Sequence, residues 1–159
     1  MMMFEKATRF TVKTGKATSS QSTLNAVDKA MRKASMGDLN LIEVSSILPK
    51  GIKKVNNKST RRGDFRPAVL SKATGSGKKL AAGLAWGFRD DDSGGYVIEH
   101  FAEKEELDIN AFKEELRDRL REMGEVRGTE LKEIDLVYEE LDVDEGEFGC
   151  VISGLVYLP

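Results

Sequence analysis

Apolar positions recur along this chain with two periods, and each period predicts a different kind of element. From Leu39 to Ile47 apolar and polar residues alternate as in a half-buried strand. Leu39, Leu41 and Glu43 lie on one side, Asn40, Ile42 and Val44 on the other, and Pro49 closes the run. Phe4 to Thr14 reads as a first strand, followed by the loop "GKATSSQST". After that loop Leu24, Val27, Met31 and Ala34 recur every three or four residues. This spacing predicts a helix capped by Ser22 or Thr23 and ended by Gly37 in the left-handed conformation. A second helix is signalled more strongly still: Asp108 stands at its N-cap, Ile109, Phe112, Leu116, Leu120 and Met123 form its apolar stripe, and Gly124 is its expected stop. "KKLAAGLAWGF" and "GGYVIEHF" predict two strands joined through "RDDDSGG" as a hairpin, and two more strands are expected near Ile134 to Leu141 and Cys150 to Leu158. Two helices that do not alternate regularly with the strands predict an α+β fold, organised as a single domain over residues 1–159 with no internal repeat.

Composition narrows the class of protein without naming a function. A domain of 159 residues buries about two-thirds of its unfolded surface, so neither disulfides nor a metal are needed to hold it. Hydrophobic residues at 40% and charged residues at 33% are ordinary for a water-soluble chain, and a net charge of -2 argues against a polyanion as obligatory partner. Cys150 is the single cysteine and has no partner within the chain. With no apolar run of transmembrane length and no basic-then-apolar leader, a reducing, cytoplasmic setting and no membrane partner are expected. Charge is placed unevenly: from Lys50 to Arg89 there are eleven Lys or Arg and one acid, Asp64, whereas from Asp90 to Glu147 there are twenty-two acids and seven Lys or Arg. The stretch "KGIKKVNNKSTRRGDFRP" reads as a solvated loop with Phe65 as its one aromatic, so nucleic acid is not the expected partner. Basic and acidic segments could instead face each other within an oligomer.

Three candidate sites fail on spacing. "ATGSGKK" lacks the phosphate-loop pattern, because Lys72 and Lys79 stand where a glycine and a hydroxyl residue are required. Asp90, Asp92 and Gly94 begin like a calcium loop, but Phe101 occupies the position of the bidentate glutamate. His100 is the only histidine, which leaves no histidine cluster for a transition metal and makes a structural or solvent-facing role the better reading.

Ser45 and Ser46, at the end of the Leu39 to Ile47 run, carry two readings. They can be strand-end residues whose hydroxyls satisfy loose backbone groups. Alternatively, the Ser46 hydroxyl attacks the Ser45 carbonyl and converts the peptide bond to an ester. Elimination then yields dehydroalanine, and hydrolysis with loss of ammonia leaves a pyruvoyl group on a new amino terminus. Such a ketone condenses with an amine and withdraws electrons from the adjacent carbon, as pyridoxal phosphate does in decarboxylases.

The stretch "STLNAVDKAMRKASMGDLNLIEVSSILP" resembles the pyruvoyl-dependent arginine decarboxylases almost continuously, and the resemblance extends to "GYVIEHFAE", "LREMGEVRGTEL" and "FGCVISGLVYLP". The segment from Lys53 to Lys79 matches least well. The resemblance implies a four-layer αββα sandwich, self-cleaved into residues 1–45 and 46–159 and assembled as a homotrimer with active sites between subunits. It also implies conversion of L-arginine to agmatine and carbon dioxide in polyamine biosynthesis, with a covalent pyruvoyl cofactor derived from Ser46 and no metal. Ser45 would end the amino-terminal chain, Asn40 would hydrogen-bond the reacting groups, and Glu99 would protonate the substrate α-carbon. Asp28 would receive the guanidinium, helped by the backbone carbonyls of Gly37 and Leu39.

The residues themselves bear on each role. Positions 40 and 46 differ by an even number and share a face if the strand is unbulged. Glu99 is flanked on its own face by Val97 and Phe101, which predicts a raised pKa; the plainer reading is a strand-edge carboxylate. Asp28 lies about 40° from Leu24 and about 60° from Met31 around the helix, at the edge of the apolar stripe, and the plainer reading pairs it with Arg32 one turn on. Related pyruvoyl enzymes act on histidine or aspartate; Asp28 would repel an acidic substrate but match a guanidinium in a two-pronged pair. The reading from another class is an uncleaved, non-catalytic binding module.

Overall fold

A computed structural model describes residues 6–56 and 60–159 as two β-sheets and two helices, an α+β fold. In chain order the elements are β1 (Arg9–Ser19), α1 (Thr23–Lys33), β2 (Asn40–Glu43), β3 (Ile47–Leu48), β4 (Lys53–Lys54), β5 (Phe65–Gly75), β6 (Lys79–Phe88), β7 (Gly95–Lys104), α2 (Ile109–Val126), β8 (Lys132–Asp142) and β9 (Phe148–Leu158). One sheet has the order β2-β5-β9-β1-β4 and the other β3-β7-β6-β8. The expected start of the first strand at Phe4 lies outside the described residues, as do residues 57–59 of the basic stretch.

Strand β9 organises the first sheet. Its apolar run is buried almost throughout, as a central strand covered on both faces requires. It pairs antiparallel with β1 along its whole length and with β5 on the other side. One face packs on α1 through Ala26, Ala30, Met36 and Ile152; the other meets the second sheet through Phe10, Val69, Leu84, Trp86, Val97 and Leu155. Helix α2 lays Phe112, Leu116 and Leu120 on the outer face of that second sheet. Gly15 lets α1 approach β1: a Cβ there would lie 2.2 Å from the Ala30 carbonyl oxygen.

Both helices begin where the sequence predicts and end elsewhere. The Ser22 hydroxyl accepts from the Asn25 amide, and the Asp108 carboxylate accepts from the amides of Asn110 and Ala111. At the end of α1 the left-handed residue is Ser35 (φ 59°), not Gly37. Gly37 serves instead to clear the last turn, since an added Cβ would stand 2.6 Å from Arg32 Cγ. Gly124 does not stop α2 either. It is buried against Leu131, the helix continues to Val126, and Gly128 takes the left-handed conformation. Part of the supposed basic loop is strand β5, which the density of charge concealed. Arg66 pairs with Asp64, and Arg62 with Asp38, so part of this basic charge is neutralised locally. Acids on α2 likewise pair within the helix through Glu114–Arg117, Glu115–Arg119 and Asp118–Arg121.

Candidate active site

Between Glu43 and Ile47 the chain leaves one sheet and enters the other. The Val44 amide still donates to the Ala68 carbonyl of β5 at 3.0 Å, while the Ser46 carbonyl accepts from the Val97 amide of β7 at 2.9 Å. Leu39 to Ile47 is therefore not one strand, and the inference that Asn40 and Ser46 share a strand face is corrected: β2 ends at Glu43. The pull comes from Leu48, buried in the core between the sheets, and from the pairing of Ile47 and Leu48 with Tyr96 and Gly95. The buried Tyr157 hydroxyl donates to the Ile47 carbonyl at 2.8 Å, and burial pushes the phenol up to about 12. Ser45 is exposed and Ser46 half-buried. Their peptide bond thus lies in a short span tethered at Val44 to one sheet and, through Ser46 and the pairing of Ile47 with Tyr96, to the other.

Glu99 lies on β7 two positions beyond Val97, on the face that looks toward the first sheet. Val97 is fully buried, but Phe101, expected as its second apolar flank, is 60% exposed. Burial raises the Glu99 pKa, and the nearby Glu43 carboxylate raises it further. Both carboxylates line a cleft of about 380 Å³ with Lys72, Val27, Met31 and Phe101. Ser71 ties β5 to β7 at this point by donating to the His100 carbonyl at 2.6 Å. The His100 ring itself turns the other way: it stacks on Phe112 with centroids 5.0 Å apart and meets Glu115 at 3.1 Å. Its pKa is lowered, chiefly by burial, and its role is structural.

The remaining predicted residues do not line this cleft. Gly37 and Leu39 line a second cleft of about 470 Å³ together with Arg32, Arg61 and Arg62. Asn40, beside it, donates from Nδ2 to the Gly63 carbonyl at 3.0 Å. Asp28 is exposed and pairs with Arg32 at 3.2 Å, the plainer of its two readings. The two clefts share no lining residue. The chain thus ties Ser46 to β7 two residues before Glu99, and sets Gly37 and Leu39 in a different cleft from Glu99. Among the described residues no group of three or more His, Cys, Asp or Glu side chains is placed to hold a metal ion.

Sequence reasoning missed Glu43, Lys72 and Tyr157. Glu43 carried one available signal, its position two residues before the serine pair; the other two reach the site only through the meeting of the sheets.

The local chemistry fits a pyruvoyl precursor at residue 46: a half-buried serine follows an exposed serine, and Glu99, its pKa raised, lies on β7 two residues beyond the amide that binds the Ser46 carbonyl. Comparison with known proteins places the chain in a family. The chain is 34% identical to a pyruvoyl-dependent arginine decarboxylase of Methanothermobacter thermautotrophicus, over 85% of this chain and 87% of that protein. It is 29% identical to a protein of the same name from Methanopyrus kandleri, over 91% of each. A solved pyruvoyl-dependent histidine decarboxylase has a similar fold, with a TM-score of 0.50 and 15% identity; the match covers 65% of this chain and just over half, 57%, of the other. The family described as pyruvoyl-dependent arginine decarboxylase matches residues 8–159, and the chain belongs to it.

Proposed function

We propose that this chain cleaves itself between Ser45 and Ser46, into residues 1–45 and 46–159, and decarboxylates L-arginine to agmatine and carbon dioxide. The observation that carries this reading is the Ser45–Ser46 peptide at the crossing between sheets, with Glu99 on the strand that the crossing joins. Ser46 Oγ attacks the Ser45 carbonyl carbon, the peptide C–N bond breaks, and the freed amine leaves an ester. Loss of the Ser46 α-proton expels the Ser45 carboxylate, and water then displaces ammonia. The tethers at Val44, Ser46 and Ile47 favour this by holding attacker and target in one short span. The pyruvoyl group so made supplies an electron-poor ketone that engages the substrate amine and accepts the electron pair when carbon dioxide leaves.

The chain's own residues do the rest. Glu99, whose carboxyl is pushed up by burial and by the Glu43 carboxylate, donates its proton to the α-carbon. Asp28 receives the guanidinium, exchanging Arg32 for a substrate cation of the same shape, while Gly37 and Leu39 offer carbonyls and Asn40 an amide. The Glu99 cleft and the Gly37–Leu39 cleft share no lining residue, which supports a site completed by neighbours in a homotrimer. Ile42, Val44, Ile47, Phe65 and Phe101, all exposed, provide apolar surface for such contacts. The packing of α1 and α2 on the outer faces of the two sheets supports the four-layer αββα sandwich. The lone Cys150 thiol, buried and pushed up to about 11, suits a cytoplasmic setting without disulfides.

Intact-mass measurement tests the reading directly. The purified chain should give two fragments meeting at Ser45–Ser46 and should release carbon dioxide from carboxyl-labelled arginine, whereas Ser46→Ala should stay whole and release none. An uncleaved wild-type chain, or cleavage of Ser46→Ala at the same bond, would refute it.

A further inference from the structure

Glu43 closes β2, two positions before Ser45, and Glu99 stands on β7, two positions beyond the residue that binds the Ser46 carbonyl. They belong to different sheets, yet both line the same cleft. Pairing of Glu43 with Ala68 of β5, and of the Val44 amide with the Ala68 carbonyl, fixes the Glu43 backbone on the cleft wall. The other elements packed around the cleft contribute little charge. Helix α1 presents Val27 and Met31, β9 presents Ile152, and β5 presents Lys72, the single cation among the described lining residues. The Ser71 hydroxyl is committed to the His100 carbonyl.

We propose that Glu43 is a positioning residue for the reaction, its negative charge across the shared cleft holding the proton on Glu99 until the substrate carbon takes it. This rests on Glu99 being the proton donor. In a cleft open to water the Glu99 carboxyl is only partly desolvated, so burial is not the sole cause that raises it. A second carboxylate in the same cleft adds a like-charge cost to the ionised form of Glu99. Lys72 opposes this effect, which makes the sign of the net charge in the cleft the controlling quantity. With Glu43 present the cleft is negative once Glu99 ionises; without it, Lys72 balances Glu99 and favours ionisation.

The test is a carbon-13 NMR titration of the Glu99 side-chain carboxyl in the purified protein, the resonance assigned by its disappearance in Glu99→Gln. Glu43→Gln should lower the Glu99 midpoint by about half a pH unit or more, and Glu43→Lys should lower it further. The alkaline limb of the pH profile for arginine decarboxylation should move down in the same order. Glu145→Gln, beside Gly77 and away from the cleft, should move neither. If the Glu99 midpoint is the same in wild type and Glu43→Gln, or if Glu43→Lys raises it, the proposal is overturned. Failure of the donor role is read separately, as full activity of Glu99→Gln. In that event a shifted midpoint in Glu43→Gln upholds the electrostatic coupling and removes its catalytic meaning.

Discussion

Replacing Asp28 by alanine separates the two readings of this residue, because the structure bounds what each can cost. In the chain Asp28 and Arg32 form an i,i+4 pair whose side chains are 61% and 63% exposed. Such a pair contributes about 0.3–0.5 kcal/mol to a helix. In a chain of this size that corresponds to a change in Tm of about 1–2 °C. A guanidinium held in a closed site is another matter: removing its carboxylate leaves an unpaired charge, at roughly 3–5 kcal/mol. A loss of two orders of magnitude in kcat/KM, about 2.7 kcal/mol, therefore lies far outside anything the helix pair can supply. Asp28→Ala should cleave normally, keep its Tm within about 2 °C and lose roughly a hundredfold or more in kcat/KM for arginine. Lysine should remain a poor substrate, since an ammonium cannot bond in a fork. Arg32→Ala breaks the same pair from the other side and is the decisive companion. It should cost the same in Tm, but it frees the carboxylate, so KM for arginine should stay level or fall. Steady-state kinetics of labelled carbon dioxide release, with thermal unfolding in parallel, reads both quantities. Arginine turnover within a few-fold of wild type in Asp28→Ala, or equal losses in the two variants, would refute the guanidinium assignment and leave self-cleavage untouched.

Two further variants, Glu99→Gln and Tyr157→Phe, carry expected outcomes. Glu99→Gln should cleave at Ser45–Ser46 yet decarboxylate arginine roughly a hundredfold more slowly. Because the native Glu99 pKa is raised above its ordinary value of 4.5, its stabilising contribution is complete below that value and is lost as pH rises through the raised one. The urea midpoint of Glu99→Gln should accordingly fall less than that of wild type over this window, and parallel curves would contradict the raised pKa. Tyr157→Phe removes the hydrogen bond to the Ile47 carbonyl, lowering stability by about 1 kcal/mol and slowing cleavage of the freshly made chain; an unchanged time course on denaturing gels would exclude Tyr157 as an anchor of the crossing.

The sequence by itself determined what rests on neighbours along the chain. Asp108 and the stripe of Phe112, Leu116 and Leu120 specify α2 because capping and a 3.6-residue period are local properties. The β6–β7 hairpin and the apolar run of β9 are legible for the same reason. Tertiary structure alone decided the rest. Alternation continues from Leu39 to Ile47, yet the strand breaks after Glu43, because burying Leu48 between the sheets and pairing Ile47 with Tyr96 outweigh continued pairing with β5. Strand β5 was hidden in a basic stretch because its ladder to β9 depends on a strand about eighty residues away in sequence. Gly37 and Gly124 look like helix stops in sequence, but each is used for close approach, to Arg32 and to Leu131. Glu43 faces the Glu99 cleft, and Tyr157 reaches Ile47, only because two sheets meet face to face. No periodicity within one strand encodes what the opposite sheet presents.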